Sequence, residues 1–127
     1  MEYTLEKLEI YQLAEAFSDI IWNLVDEWKD FQKNTIGKQI VRSADSISAN
    51  IAEGYGRYFY KESRQFFFYS RGSLQETKSW LSKCKRRKII EMFQAEQLLN
   101  EAEKILAKLN AYIKFIAASP KHNKKPD

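Results

Sequence analysis

Few side chains in this 127-residue chain could do covalent or metal chemistry. There is one histidine, His122, in a polar tail, and one cysteine, Cys84. A di-iron site inside a helical bundle needs paired Glu-x-x-His motifs, and a serine or cysteine nucleophile needs a neighbouring base. One tail histidine supplies neither. A single cysteine also excludes an intrachain disulfide. Cys84 falls at helical spacing with Phe67, Ser70, Leu74, Thr77 and Leu81, which predicts a buried, inert thiol. The pair Gly54 and Gly56 lacks the third glycine of a phosphate loop and follows a helical rather than a strand pattern, so it reads as a helix stop. The expectation is therefore a protein that is not an enzyme and has no metal and no cofactor.

Non-covalent chemistry is better supplied. Residues 55–71 interleave Tyr55, Tyr58, Tyr60 and the run Phe66-Phe67-Phe68-Tyr69 with Arg57, Lys61, Arg64 and Arg71. Rings can stack on unpaired bases while cations meet phosphates. The competing use of those rings is as core or subunit interface. The Phe66–Tyr69 run points around much of a helix, which favours that use for it. The densest positive patch is Lys83-Cys84-Lys85-Arg86-Arg87-Lys88, five cations in six residues. Such a turn is either a solvated loop or a phosphate contact. A third feature is a polar row, Gln39, Arg42, Ser46, Asn50 and Glu53, spaced by three and four residues. It reads first as a structural hydrogen-bonded network, within the bundle or between subunits, and second as a solvated face or a small-ligand pocket around Asn50 and Glu53.

The charge is unevenly spread. Residues 1–30 carry two basic and eight acidic groups, a net −6; residues 31–90 carry thirteen and four, a net +9; residues 91–127 carry six and five, a net +1. A positive middle attracts a polyanion, or the negative first segment of a second copy. Glu2, Glu6 and Glu9 stand where a secretory signal would be basic and apolar, and no apolar run nears the roughly 20 residues of a membrane span, so the expected location is the cytoplasm.

These groups must be positioned by helices. Hydrophobic residues make up 44% of the chain, and only four glycines and two prolines interrupt it, both prolines in the last eight residues. That disfavours short-strand folds. Ile10, Ala14, Phe17, Ile21, Leu24 and Trp28 mark a first helix over about 5–28; Lys29–Asn34 reads as a loop. A second helix starts near Thr35 as N-cap, carries Ile36, Ile40, Ala44, Ile47 and Ile51, and ends at Gly54–Gly56 with glycine in the left-handed conformation. A third spans about 61–86, with Gly72 and Ser73 small enough for another helix to approach. A fourth spans about 91–117, with Leu98, Ala102, Ile105, Leu109, Tyr112 and Ile116. The fold expected is all-α, an antiparallel up-down-up-down four-helix bundle over residues 5–117 with a flexible basic tail over 118–127.

The sequence resembles a known family, the bacterial four-helix-bundle proteins named for a 23S rRNA intervening sequence. The likeness is carried by Gln39-Ile40, Arg42, Ala44, Ser46-Ile47 and Asn50-Ile51-Ala52-Glu53-Gly54, then Gly56-Arg57. Arg71-Gly72-Ser73-Leu74 with Glu76, and the opening Leu8-Glu9-Ile10-Tyr11-Gln12, add to it. Val41 stands where the family commonly has a second arginine, Tyr11 replaces a frequent tryptophan, and the turn over 83–90 is more basic and lacks the family's glycine. The resemblance implies a left-handed antiparallel bundle assembled as a ring, typically a homopentamer, without enzymatic activity. The family is similar to the accessory protein of diversity-generating retroelements, which binds a reverse transcriptase and nucleic acid.

Two functions follow. The first is a non-enzymatic oligomeric nucleic-acid-binding protein, RNA foremost, using Arg57, Lys61, Arg64, Lys83, Lys85, Arg86, Arg87 and Lys88 on a basic surface of residues 57–88. The alternative is a protein-interaction scaffold or accessory subunit that binds a partner protein such as a reverse transcriptase.

Overall fold

Apolar residues at three- and four-residue steps build four long helices: α1 (Glu9–Asp26), α2 (Lys38–Tyr55), α3 (Tyr60–Arg86) and α4 (Met92–Ala117). They are seen in a computed structural model of the chain, which describes residues 4–57 and 59–118. Tyr58, His122 and, apart from Ala118, the expected basic tail lie outside the described residues. α2 packs on α1 and α3, and α4 packs on α3 and α1, so the four helices close around one core. Each contributes one stripe: Ile10, Ala14, Phe17, Ile21 and Val25; Ile40, Ala44, Ile47 and Ile51; Phe67, Leu74, Leu81 and Cys84; Ala95, Leu98, Ala102, Ile105, Leu109, Ile113 and Ile116. Val25 replaces Leu24 and Trp28 at the end of the first stripe; those two are half-buried beside the core.

Residues 29–34 are not the expected loop. Asp30–Gln32 form a helical turn, with Asp30 where a carboxylate favours the positive end of the helix dipole. Lys33–Gly37 continue as a π-helical turn that runs directly into α2. A π-turn adds a residue and shifts the phase of the apolar pattern, which hides the helix from a search at a fixed period. Thr35 is therefore inside a helix rather than capping one, and its hydroxyl donates to the Phe31 carbonyl at 2.6 Å. The wide turn presses Gly37 on α1: a Cβ there would lie 2.8 Å from Val25 Cγ1.

The helix stop at Gly54–Gly56 also works differently from expectation. No described glycine has a positive φ. Gly56 caps α2 in the right-handed region. Gly54 is buried inside the helix, where a Cβ would sit 2.9 Å from the Ser63 carbonyl oxygen and 3.1 Å from Phe66 Cβ. Its role is close approach of α2 to α3. Small hydroxyl residues serve the same seam: Ser70 Oγ donates to the Ile47 carbonyl at 2.7 Å, and Thr77 Oγ1 donates to Ser43 Oγ at 2.8 Å, which donates on to the Ile40 carbonyl. No buried side-chain polar atom among the described residues lacks a partner. Gly72, by contrast, is exposed, and a Cβ there would meet nothing within 4 Å apart from its chain neighbours and its own helix backbone.

Candidate nucleic-acid interface

The basic turn begins as the C-terminus of α3. Lys83, Lys85 and Arg86 lie in its last turn, where cations complement the negative end of the helix dipole. The chain then leaves through a Schellman arrangement: Lys88 N–H donates to the Lys85 carbonyl at 3.1 Å and Ile89 N–H to the Cys84 carbonyl at 2.9 Å. Lys88 takes the left-handed conformation this requires, with φ of 59°, and is the one non-glycine described residue with positive φ. Ile89 and Ile90 return to the core and fix the turn.

Not all five cations there are available. Lys85 pairs with Glu96 of α4. The Lys83 ammonium lies over the Trp80 ring, 5.1 Å from its centre. Arg86, Arg87 and Lys88 are exposed and make no ion pair with any described residue. Cys84, buried beside them, has its thiol pushed up to about 11 by burial, against a smaller lowering by Arg87. It is a core residue without nucleophilic character at neutral pH.

Arg57, Lys61 and Arg64 belong to a different place. They precede or open α3, whereas Lys83–Lys88 close it. At about 1.5 Å per residue, the 22 steps from Arg64 to Arg86 span roughly 33 Å. The eight candidate cations thus form two groups at opposite ends of α3 rather than one surface over residues 57–88. In the first group Arg57 is engaged, paired with Glu53 Oε1 at 2.5 Å and stacked over Phe66 at 4.6 Å. Lys61 is exposed and Arg64 half-buried, neither in an ion pair with any described residue. The aromatic residues nearby divide: Phe67 is buried and edge-on to Tyr112, with ring centres 5.2 Å apart, while Phe68 and Tyr69 face outward. Burial raises the Tyr112 hydroxyl, with Tyr55 and Tyr60 adding to the effect.

The polar row does not form a network inside the bundle. Gln39, Arg42 and Glu53 are exposed, and Ser46 and Asn50 half-buried. Ser46 Oγ donates to the Arg42 carbonyl at 2.8 Å and Asn50 Nδ2 to the Ser46 carbonyl at 2.8 Å, both within α2, while Glu53 accepts from Arg57 just beyond its end. The row stands outside because the interleaved serines and alanines, not the row, meet the neighbouring helices.

Two open clefts flank the basic turn. One, about 320 Å³, is lined by Glu27, Trp28, Lys29, Gln32, Lys88 and Ile89. The other, about 440 Å³, includes Phe31, Gln39, Trp80, Lys83 and Arg87. Phe31 and Trp80 are absent from the sequence-derived candidates. Reading 29–34 as a loop hides Phe31, and Trp80 stands about two turns before Arg87, which caps the same helix. No group of residues suited to holding a metal ion occurs among the described residues, and no described helix is long and apolar enough to cross a membrane.

Comparison with known proteins agrees with this architecture. No curated protein matches the chain. A crystal structure of a protein of unknown function from the S23 ribosomal protein family, from Bacteroides thetaiotaomicron VPI-5482, is similar, with 27% identity and a TM-score of 0.75 over 83% of this chain and 98% of that one. The model of the 23S rRNA-intervening sequence protein family matches residues 6–111. Nearly all of the four-helix bundle falls within that match, and the chain belongs to the 23S rRNA-intervening sequence protein family.

Proposed function

We propose that this protein binds nucleic acid, RNA foremost, without catalysing a reaction on it, and does so in the cytoplasm as a homo-oligomeric ring, typically a pentamer. The observation that carries the reading is the turn at the end of α3, where Arg86, Arg87 and Lys88 project into solvent without acidic partners among the described residues. Unpaired cations held on a rigid helix end suit phosphate contact. Lys61 and Arg64 supply a second, weaker group. A ring would repeat both groups and convert modest single contacts into avidity. An antiparallel course of the helices is supported by the order of the cross-helix ion pairs: Lys78 with Glu103 and Lys85 with Glu96 run in opposite directions along α3 and α4, and Glu9 at the start of α1 meets Lys108 late in α4. Open space around Gly72, in a helix interior where alanine is preferred, supports the approach of another subunit there.

A second reading rests on α1. Glu9, Glu15, Asp19 and Asp26 are all exposed on it, Glu9 paired with Lys108 and Asp26 with Lys33, and Glu15 and Asp19 in no ion pair with a described residue. This acidic face could meet the basic turn of the next copy, leaving a scaffold or an accessory subunit for a partner protein such as a reverse transcriptase. Fluorescence anisotropy of a labelled structured RNA at several salt concentrations separates the two. Nucleic-acid binding predicts a log–log salt slope of about 0.7–0.9 per neutralised phosphate. It also predicts loss of binding in Arg86→Glu/Arg87→Glu with an unchanged helical spectrum. Absence of binding even at low salt transfers the assignment to the protein scaffold.

A further inference from the structure

The larger cleft beside the basic turn combines two kinds of wall. Phe31, in the helical turn before α2, has 76% of its surface exposed. Trp80 of α3, half-buried, lines the same cleft, with its indole N–H donated to Glu76 Oε2 at 3.1 Å. That bond and the packing of Trp80 against the core fix the ring's orientation. Lys83 and Arg87, one and two turns further along α3, complete the lining with the Gln39 amide. The cleft is open to solvent rather than enclosed, at about 440 Å³. It is too small for a duplex.

An exposed phenyl ring and a fixed indole offer π-faces; two cations beside them offer phosphate contacts. Bases in a duplex are already stacked on one another and have no face to give. An unpaired base has a free face, and any base stacks on aromatic side chains. The Lys83 ammonium lies over the Trp80 ring. Its four-carbon stem is long enough to swing the ammonium to a phosphate and clear the face for a base.

We propose that this cleft takes one unpaired nucleotide of a single-stranded or looped nucleic acid, its base on Phe31 and Trp80 and its phosphate on Lys83 and Arg87. The proposal rests on the nucleic-acid reading above and deepens it: the protein selects single-stranded over duplex segments, and the selection resides at the α3 end of the bundle.

The test compares binding of a fluorescein-labelled, unstructured single-stranded RNA 12-mer with binding of its fully paired duplex. The proteins are full-length wild type, Phe31→Ala, Trp80→Leu and Arg86→Glu/Arg87→Glu, each first checked by thermal melt. Phe31→Ala and Trp80→Leu are expected to weaken single-strand binding roughly 5- to 100-fold, with duplex binding little changed. The double arginine variant should weaken both. Tryptophan emission of the wild type should fall on titration with the single strand, and that fall should be missing in Trp80→Leu. Because Phe31 is largely in water, Phe31→Ala carries the test even if Trp80→Leu does not fold. Wild-type affinity for the single strand in Phe31→Ala, alongside loss of both ligands in the arginine variant, overturns the cleft while leaving the basic turn as the nucleic-acid contact. Failure of the wild type to bind either RNA overturns the nucleic-acid reading, and the cleft with it.

Discussion

Gly54 lies so close under Ser63 that a Cβ on it would stand 2.9 Å from the Ser63 carbonyl oxygen. The obstructing atom is backbone, so relief requires α2 and α3 to separate. Gly54→Ala gains about 1 kcal/mol of helix propensity but loses more to overpacking, for a net destabilisation of about 1–2 kcal/mol. Gly72→Ala, with nothing within 4 Å of the new methyl, should instead stabilise the monomer by about 0.5–1 kcal/mol. Urea denaturation of the two variants beside wild type reads both signs, and equal effects would contradict the assigned roles.

The buried hydroxyl pair on the same seam gives a second prediction. Thr77 Oγ1 is 2.8 Å from Ser43 Oγ, and both residues are fully or almost fully buried. Thr77→Val keeps the shape and removes the donor, at a cost of about 1 kcal/mol. Ser43→Ala also removes a bond. The double variant should cost less than the sum of the singles, because each single already removes the one bond the two hydroxyls share, while Thr77 Oγ1 keeps the Ser73 carbonyl and Ser43 Oγ the Ile40 carbonyl as acceptors. Additive costs in a denaturation cycle would show that the two hydroxyls act independently.

The core was readable because its period is local. Ile36, Ile40, Ala44, Ile47 and Ile51 declare themselves by spacing alone, and all are buried. Two features escaped because they depend on what lies across the fold. Gly54 reads as a helix stop in one dimension; only the position of Ser63 turns it into a contact glycine. Likewise the polar row from Gln39 to Glu53 looks packed when flanked by Ser43, Ser48 and Ala52, yet rotation about α2 places it outside. For the candidate interface the residue types were legible and the distribution was not. The eight candidate cations over residues 57–88 become two groups once 27 residues of that stretch form a single continuous helix. Phe31 was missed because a π-turn conceals the helix that carries it.

Asp45 on α2 supplies a pH-dependent prediction. Burial, with smaller contributions from the nearby Asp19 and Glu15 of α1, raises its carboxyl above the ordinary aspartate value. A raised acid binds its proton more tightly folded than unfolded. Its contribution to stability is fully present below the unfolded value and is lost as pH climbs through the folded one. At neutral pH Asp45 is therefore ionised against its surroundings. Asp45→Asn should raise the melting temperature at pH 7 and make little difference near pH 3, where the wild-type carboxyl is already neutral. A gain of equal size at both pH values would assign the effect to something other than the charge.

Lys88 joins stability to the proposed binding. It occupies a left-handed position, φ 59°, that closes α3 and that glycine adopts without steric cost. Holding a lysine there costs about 1 kcal/mol. The side chain lines a cleft with Glu27, Trp28 and Gln32 but makes no ion pair with any described residue, so no ion pair among the described residues offsets the cost. Phosphate contact would account for the strained lysine. Lys88→Gly should accordingly be more stable by about 1 kcal/mol while binding RNA more weakly, with the log–log salt slope reduced by about one contact. The two effects separate the interpretations. A variant that is more stable and binds as tightly as wild type removes Lys88 from the interface. A variant that is no more stable shows that the turn gains more from lysine than its backbone loses.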